Sequence, residues 1–101
     1  MVKHIVLFKL KEFNSYNERT YICTTFKQKL ENLKDKIDVI KSIEVGRNVN
    51  PVDVAYDIAL TVEVDDFNAL NAYREHPEHK KILDFINNVK QKAVVVDYII
   101  D

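Results

Sequence analysis

Three features of the 101-residue sequence predict an α+β domain. Four segments are apolar with the alternation typical of β-strands, and the segments between them carry apolar residues at every third or fourth position, as amphipathic helices do. The chain has one glycine and two prolines, so long regular elements with few tight turns are expected. Its length suits one hydrophobic core, and we predict a single domain over residues 1–101.

The first predicted strand covers residues 2–10. Val6 and Phe8 lie in one alternating set, and Ile5 and Leu7 lie in the other. Both faces of this strand are therefore apolar in the middle, as in strands that are covered on both sides. We expect a partner layer on each face.

A helix is predicted to begin after Ser15, because Ser15 and Glu18 have the spacing of a capping box. The apolar residues that follow recur at helical spacing and define one buried face: Ile22, Phe26, Leu30, Leu33 and Ile37. This first helix is expected to run to about Lys36.

Two strands and one loop are predicted next. Residues 42–45 read as a strand, and Gly46 supplies the backbone freedom for a bulge or bend at its end. The segment GRNVNPVD, residues 46–53, reads as the loop. Residues 56–64 show the cleanest alternation in the chain and are predicted as the third strand.

Two helical segments and a strand complete the chain. Asp65 and Asp66 are expected to cap a short helix, and Pro77 suits the first turn of a second one. The second helix is predicted to turn four residues inward: Ile82, Leu83, Ile86 and Val89. A β-branched run over residues 93–100, apolar in both registers apart from Asp97, ends the chain as a strand.

The resulting order is that of the ferredoxin-like βαββαβ fold, a four-stranded antiparallel sheet with helices on one face. The helices leave the other face of the sheet bare, although the first and last strands are apolar on both faces. A second copy of the sheet is the simplest cover. We therefore predict a homodimer that forms an α/β barrel.

Composition argues against several kinds of partner. The formal net charge is −1 and the lysines are interleaved with acidic residues, which disfavours nucleic acid. No apolar run is long enough for a membrane span, so no membrane partner is expected. Cys23 is the only cysteine, which disfavours a disulfide and a structural zinc site and favours a reducing cytoplasm. A single glycine leaves no glycine-rich nucleotide loop, and we predict no cofactor.

The segment YREHPEHKK, residues 73–81, concentrates the candidate catalytic side chains. His79 shares its predicted helix face with Ile82 and Ile86, which turns it towards the interior. An imidazole with an ordinary pKa of about 6.5 is largely neutral at neutral pH and accepts protons from acidic carbons or hydroxyls. The Tyr73 hydroxyl would then hold or polarise a carbonyl.

Three further residues are candidate ligand-binding groups, each with a purely structural alternative. His4 is either a polar wall of the same cavity or a buried histidine hydrogen-bonded to the backbone or to a helix. His76 either borders the ligand or satisfies amides at the start of the second helix. Arg47 either meets an anionic ligand at the mouth of the chamber or is a solvated strand end.

Metal binding is a weaker alternative. His76 and His79 are three residues apart, and one helical turn would present both. However, Pro77 between them indicates a helix boundary, and no cysteine joins the group. We expect no metal site.

Five segments, VKHIVLFKLK, SIEVGRNV, YDIALTVEV, YREHPEHKKI and VVVDY, together resemble the stress-responsive A/B barrel (Dabb) family of dimeric α+β barrel proteins. The resemblance covers nearly the whole chain and implies a ferredoxin-like protomer that dimerises through its sheet. The family includes the plant polyketide cyclase that makes olivetolic acid, in which the tyrosine and second histidine of Tyr-x-x-His-Pro-x-His carry the chemistry. The matching residues here are Tyr73 and His79, and His4 matches the histidine of the first strand.

The helix after this motif differs from that of the cyclase, which is richer in glycine and aromatic residues there. A shared base therefore does not imply a shared substrate. The first functional hypothesis is a protein that binds a small apolar or carbonyl-bearing molecule in a chamber near His79. The alternative is a cofactor-free enzyme for aldol-type cyclisation, isomerisation or oxygenation, with His79 as base and Tyr73 orienting the carbonyl. A third reading is an interaction scaffold that uses its sheet for docking.

Overall fold

The computed structural model describes residues 1–100, and its elements follow the ferredoxin-like order. The strands are β1 (Val2–Leu10), β2 (Ser42–Arg47), β3 (Ile58–Val64) and β4 (Lys90–Ile99). The helices are α1 (Tyr16–Glu31), α2 (Leu33–Lys36), α3 (Phe67–Glu75) and α4 (Pro77–Val89). All neighbouring strands are antiparallel, in the order β2-β3-β1-β4. The predicted fold class is confirmed.

Short polar side chains start the first and third helices. The Ser15 hydroxyl accepts a hydrogen bond from the Glu18 amide at 3.1 Å, as the capping-box spacing predicts. The Asp66 carboxylate accepts one from the Ala69 amide at 2.8 Å. Each cap satisfies an amide that has no partner within the helix, and such a cap is typically worth about 1 kcal/mol.

The core lies between the helices and one face of the sheet. Alternate residues of β3 are buried on this side: Ile58, Leu60, Val62 and Val64. Phe8 of β1 meets Phe26 of α1 with an edge-to-face geometry, the ring centroids being 4.9 Å apart. Phe26 also contacts Phe85 of α4 at 5.7 Å, so one buried ring joins the sheet to two helices.

A buried carboxylate ties α1 to the sheet. One oxygen of Asp57 accepts a hydrogen bond from the Leu10 amide at 2.7 Å, and the other accepts one from the Arg19 guanidinium. Both carboxylate oxygens are thus satisfied inside the protein. This contact fixes the start of α1 against the ends of β1 and β3.

The first helix differs from the prediction. It ends at Glu31, and α2 begins after Asn32, so the expectation of one continuous helix to Lys36 was wrong. Asparagine competes for backbone hydrogen bonds and is a poor residue for a helix interior. The apolar spacing continues through buried Leu33 and Ile37, which explains why the break was not visible in the periodicity.

The predicted bulge or bend at Gly46 was also wrong. Gly46 pairs with Ala59 in a regular register, its φ is not positive, and β2 continues to Arg47. The site of a Cβ on Gly46 has no atom within 4 Å. Glycine here leaves open space on the sheet without changing the course of the strand.

Two details of the last elements differ from the sequence reading. Leu83, predicted to point inward, is 37% exposed, because the buried stripe of α4 runs through Ile82, Ile86 and Val89. The last strand begins at Lys90, three residues before the predicted start.

Strand β4 is apolar and poorly covered on both faces. Val95 and Ile99 pair with residues of the helix-facing side of β1, yet they are 58% and 66% exposed. The helices pack mainly over β1, β2 and β3 and leave most of the edge strand β4 uncovered. The side of the sheet away from the helices, which we call the open face, carries an apolar set on β1 and β4: Ile5, Leu7, Val94, Val96 and Tyr98.

No helix within residues 1–100 combines the length and apolar character needed to cross a membrane.

Asp57→Ala is expected to lower the free energy of unfolding by about 2–3 kcal/mol, because it leaves the Leu10 amide and the Arg19 guanidinium without their acceptor. The matched control is Asp53→Ala, which removes an exposed loop carboxylate and should cost less than about 0.5 kcal/mol. Urea denaturation followed by circular dichroism measures both. Equal losses in the two variants would contradict a specific anchoring role for Asp57.

Candidate functional site

The junction between α3 and α4 is built by His76 and Pro77. His76 has extended backbone angles, φ −64° and ψ 136°, which end α3, and its Nδ1 accepts a hydrogen bond from the Glu78 amide at 3.1 Å. Pro77 occupies the first turn of α4, where its missing amide costs nothing. Of the two roles predicted for His76, the structure shows the capping one.

This junction brings together two residues that are six apart in sequence. Tyr73 lies near the end of α3 and is 1% exposed, and His79 lies in the first turn of α4 and is half-buried. Their rings meet edge to face with centroids 4.6 Å apart. The turn at His76 therefore folds the tyrosine against the second histidine of the motif.

The third ring comes from the sheet. His4 of β1 is buried on the helix-facing side, and its centroid lies 5.9 Å from that of Tyr73, again edge to face. Tyr73 thus stands between the two histidines. We call these three residues the His4–Tyr73–His79 cluster.

Sequence reasoning missed two residues that hold this cluster. Asp97 of β4 lies opposite His4 in the β1–β4 register, and its Oδ1 is 2.5 Å from His4 Nδ1. Arg74 of α3 donates a hydrogen bond from Nη2 to Asp97 Oδ2 at 2.9 Å. The signal was present in the sequence, since Asp97 is the one acidic residue within the apolar run 93–100.

The Asp97 carboxylate fixes the orientation of the His4 ring. A carboxylate can only accept, so a neutral His4 carries its hydrogen on Nδ1 and leaves Nε2 with a free lone pair. A protonated His4 would instead form an ion pair with Asp97. In both states the ring is held in one direction between the edge strand and Tyr73.

The environment of His79 is different. Its Nδ1 is buried and has no hydrogen-bond partner within residues 1–100. Burial lowers the pKa of His79, and the nearby His4 lowers it further, while the backbone of Arg74 acts in the opposite direction. His79 is therefore neutral at neutral pH. An unpaired buried nitrogen costs about 1–3 kcal/mol, which a polar group brought by a ligand or a water molecule would recover.

The tyrosine between the histidines stays protonated. Burial raises the pKa of Tyr73 to about 12, with a small opposing effect from the charge of Arg74. Its hydroxyl is available as a hydrogen-bond donor throughout the neutral range. The cluster therefore offers a neutral imidazole, a neutral phenol and an imidazole held by a carboxylate, a set suited to orienting a carbonyl and moving a proton.

Arg47 lies apart from the cluster. Arg47 pairs with Ile58 of β3, whereas His4 pairs with Val62. These two partners are four residues apart, a distance of about 13 Å along the strand. Arg47 lines a cleft of about 350 Å³ between the ends of β1 and β2 and the loop that follows.

None of the four clefts described, of about 280–350 Å³, is lined by His4, Tyr73 or His79. The three rings pack against one another edge to face.

Within residues 1–100, no cluster of three or more histidine, cysteine, aspartate or glutamate side chains has an arrangement that could hold a metal ion. The His4–Asp97 pair supplies two such groups, and His76 is engaged as a cap.

Comparisons with known proteins agree with this architecture. Residues 2–100 match the family model described as stress responsive A/B barrel domain. An uncharacterized protein of Streptomyces coelicolor is 32% identical over 80 residues, which cover 79% of this chain and 80% of that protein.

Two solved structures illustrate the range of similarity. A dimeric protein of unknown function and ferredoxin-like fold from Bacteroides fragilis is 39% identical, with a TM-score of 0.88 over 98% of this chain and 95% of that one. The hydroxynitrile lyase of Passiflora edulis is 19% identical, with a TM-score of 0.78 over 99% of this chain and 93% of that one. At that identity the second likeness concerns the fold alone.

The lowered pKa of His79 predicts a loss of stability in mild acid. The unfolded chain binds a proton at His79 below a pH of about 6.5, whereas the folded chain binds it only at lower pH, so the free energy of unfolding falls as pH drops through this window. His79→Phe should reduce this pH dependence, measured by urea denaturation between pH 7.5 and pH 5. Thr24→Ala, on the exposed side of α1, removes no titratable group and should leave it in place. An identical pH dependence in His79→Phe and the wild type would contradict the prediction.

Proposed function

Because the chain belongs to the stress-responsive A/B barrel family, we propose that it works as a homodimer in which each protomer binds a small apolar or carbonyl-bearing molecule at the His4–Tyr73–His79 cluster. The observation that carries this proposal is the buried Nδ1 of His79, which has no partner within residues 1–100. A polar atom buried without a hydrogen bond is unfavourable unless something binds to it in the working state. A ligand hydroxyl or enol would supply the missing contact.

The other members of the cluster suit the same ligand. The Tyr73 hydroxyl is a donor that a ligand carbonyl can accept, and its raised pKa keeps it protonated. The rings and the apolar residues around them supply the surface for an apolar body. Ligand sites generally combine such an apolar lining with a few well-placed polar groups.

Ligand entry requires the three rings to separate, since they are already in contact. His79 is the ring best placed to move, because it is half-buried and lies in the first turn of α4, beside the extended residue His76. His4 is held by Asp97, and Tyr73 is almost fully buried. We therefore expect a ligand to enter past His79, with the other two rings forming the fixed wall.

The surface of β4 supports the dimer. An edge strand with exposed apolar residues on both faces is prone to pair with another chain. The related protein from Bacteroides fragilis is described as dimeric. A second copy packed on the open face would bury its apolar set, and a symmetric dimer would cover both copies at once.

A cofactor-free enzyme is the second candidate function, and the unequal environments of the two histidines favour it. Pairs of titratable groups with different surroundings are typical of acid–base sites. His79, in the tautomer with its hydrogen on Nε2, would take a proton from the carbon beside a carbonyl. The electron pair of the broken C–H bond would form an enolate, whose oxygen accepts a hydrogen bond from Tyr73. The proton on His79 would then exchange with solvent, and delivery of a solvent-derived proton from His79 to the same carbon would complete the exchange. The same fold in a hydroxynitrile lyase is compatible with this reading.

Val96→Lys is expected to weaken or abolish the dimer, because it places a charge in the apolar set of the open face. Size-exclusion chromatography with light scattering measures the mass in solution. Thr24→Lys, on the exposed side of α1, adds the same charge away from this face and should leave the mass unchanged. A wild type that is monomeric and stably folded would contradict the proposed assembly.

Acetophenone and ethylbenzene form a matched pair of probes for the cluster, since only acetophenone carries a carbonyl. Acetophenone should cause saturable changes in the NMR signals of Tyr73 and His79, and Tyr73→Phe should weaken its binding by about 2–10-fold while leaving ethylbenzene unaffected. Loss of acetophenone binding and ethylbenzene binding alike in Tyr73→Phe would argue against recognition of the carbonyl.

The same probe separates the two candidate functions. In D2O, an enzyme of the proposed kind exchanges the methyl protons of acetophenone for deuterium faster than buffer does. His79→Ala should then lose the exchange and keep the ligand. A binding protein shows no such exchange, and His79→Ala changes its affinity alone.

A further inference from the structure

We propose that the cleft beside Arg47 is a second ligand site, separate from the histidine cluster, and that it takes a small organic carboxylate. The cleft has a volume of about 350 Å³, within the usual range for small-molecule sites. Its lining combines β1, α1, β2 and the loop over residues 48–55. Basic side chains from several elements converge there.

Three cations from three different elements line the cleft: Lys9, Arg19 and Arg47. Only two carboxylates line it, Asp53 and Asp57. The cleft is thus positive on balance, although the chain as a whole has a formal net charge of −1. A local excess of positive charge in a concave site favours an anionic ligand.

The cations differ in how far they are already neutralised. Arg19 is paired with Asp57, whose second oxygen is used by the Leu10 amide. Lys9 donates one hydrogen bond, to the Ala55 carbonyl at 3.2 Å, and forms no ion pair within residues 1–100. Arg47 has neither an ion pair nor a side-chain hydrogen bond to any described residue. Lys9 and Arg47 are therefore the groups left to receive an anion.

The geometry of these two groups favours a carboxylate. A guanidinium presents a planar fork that matches a carboxylate with two parallel hydrogen bonds, and the lysine adds a point charge. Val49, Val52 and Ala55 of the loop line the same cleft and offer apolar surface for a short organic body. Cys23 also lines the cleft.

The cleft is independent of the histidine cluster. Arg47 and His4 lie in register with residues of β3 that are four positions apart, about 13 Å. Phe8 pairs with Ile58, the same β3 residue that Arg47 pairs with. Its ring packs against Phe26 on the helix-facing side at that end of the sheet. Binding in the cleft can therefore be tested without reference to the function proposed for the cluster.

Benzoate, benzamide and inorganic phosphate are the probes, added to the 101-residue protein and followed by amide NMR. Benzoate should shift the amides of residues 47–57 saturably and leave those around His79 unchanged, while neutral benzamide should not bind. Arg47→Gln should weaken benzoate binding by about tenfold or more, and Arg47→Lys should weaken it less. Lys9→Gln should also weaken it, whereas Lys11→Gln, which removes an exposed charge at the end of β1 outside this cleft, should not.

Three results would overturn the proposal. The first is the absence of any saturable shift at residues 47–57 with benzoate. The second is equal weakening by Arg47→Gln and Lys11→Gln, which would indicate general charge attraction. The third is tighter binding of phosphate than of benzoate, which would replace the carboxylate by an inorganic anion.

Discussion

The pairing of β1 with β4 is the interaction on which both the site and the surface of this protein depend. Its register sets Asp97 opposite His4, so that two residues 93 positions apart in sequence share one short hydrogen bond. A slip of one residue would turn Asp97 to the open face and leave His4 without its carboxylate. The same pairing makes β4 an edge strand and leaves its valines exposed.

The two histidines of the cluster show how one tyrosine can separate different chemical environments. His4 has a carboxylate partner and is further braced through Arg74, whereas His79 has an unpaired buried nitrogen and a lowered pKa. Tyr73 contacts both rings and remains a neutral donor. In the proposed function, proton movement and ligand contact would therefore both concentrate on His79, and His4 would be the fixed side of the site.

The sequence allowed the fold to be predicted because its signals are local. Alternation marked the strands, Ser15 marked the start of α1, and Pro77 marked the start of α4. The break at Asn32 was missed because the apolar spacing runs through it, and the regular strand at Gly46 was missed because a glycine permits a bend without requiring one.

The candidate site was only partly predictable for a different reason. Tyr73 and His79 lie close in sequence, so helical spacing and a turn at His76 suffice to bring them together. The role of Asp97 depends on strand register, which a single sequence does not state, although a carboxylate within an apolar strand is a signal worth following. Arg47 was predicted to lie at the mouth of the chamber or at a solvated strand end, and the sheet register places it four positions along β3 from His4.

The proposed assembly and the proposed ligand site meet in the same strand. One face of β4 carries Asp97, which holds His4, and the other carries Val96 and Tyr98 of the open face. An edge strand in a lone protomer is held on one side only, so its fluctuations would be felt by the Asp97–His4 contact. A partner packed on the open face would restrict those motions and make the orientation of His4 more definite. The apolar surplus of the last strand, which first pointed to a dimer, would then also determine how rigid the ligand site is.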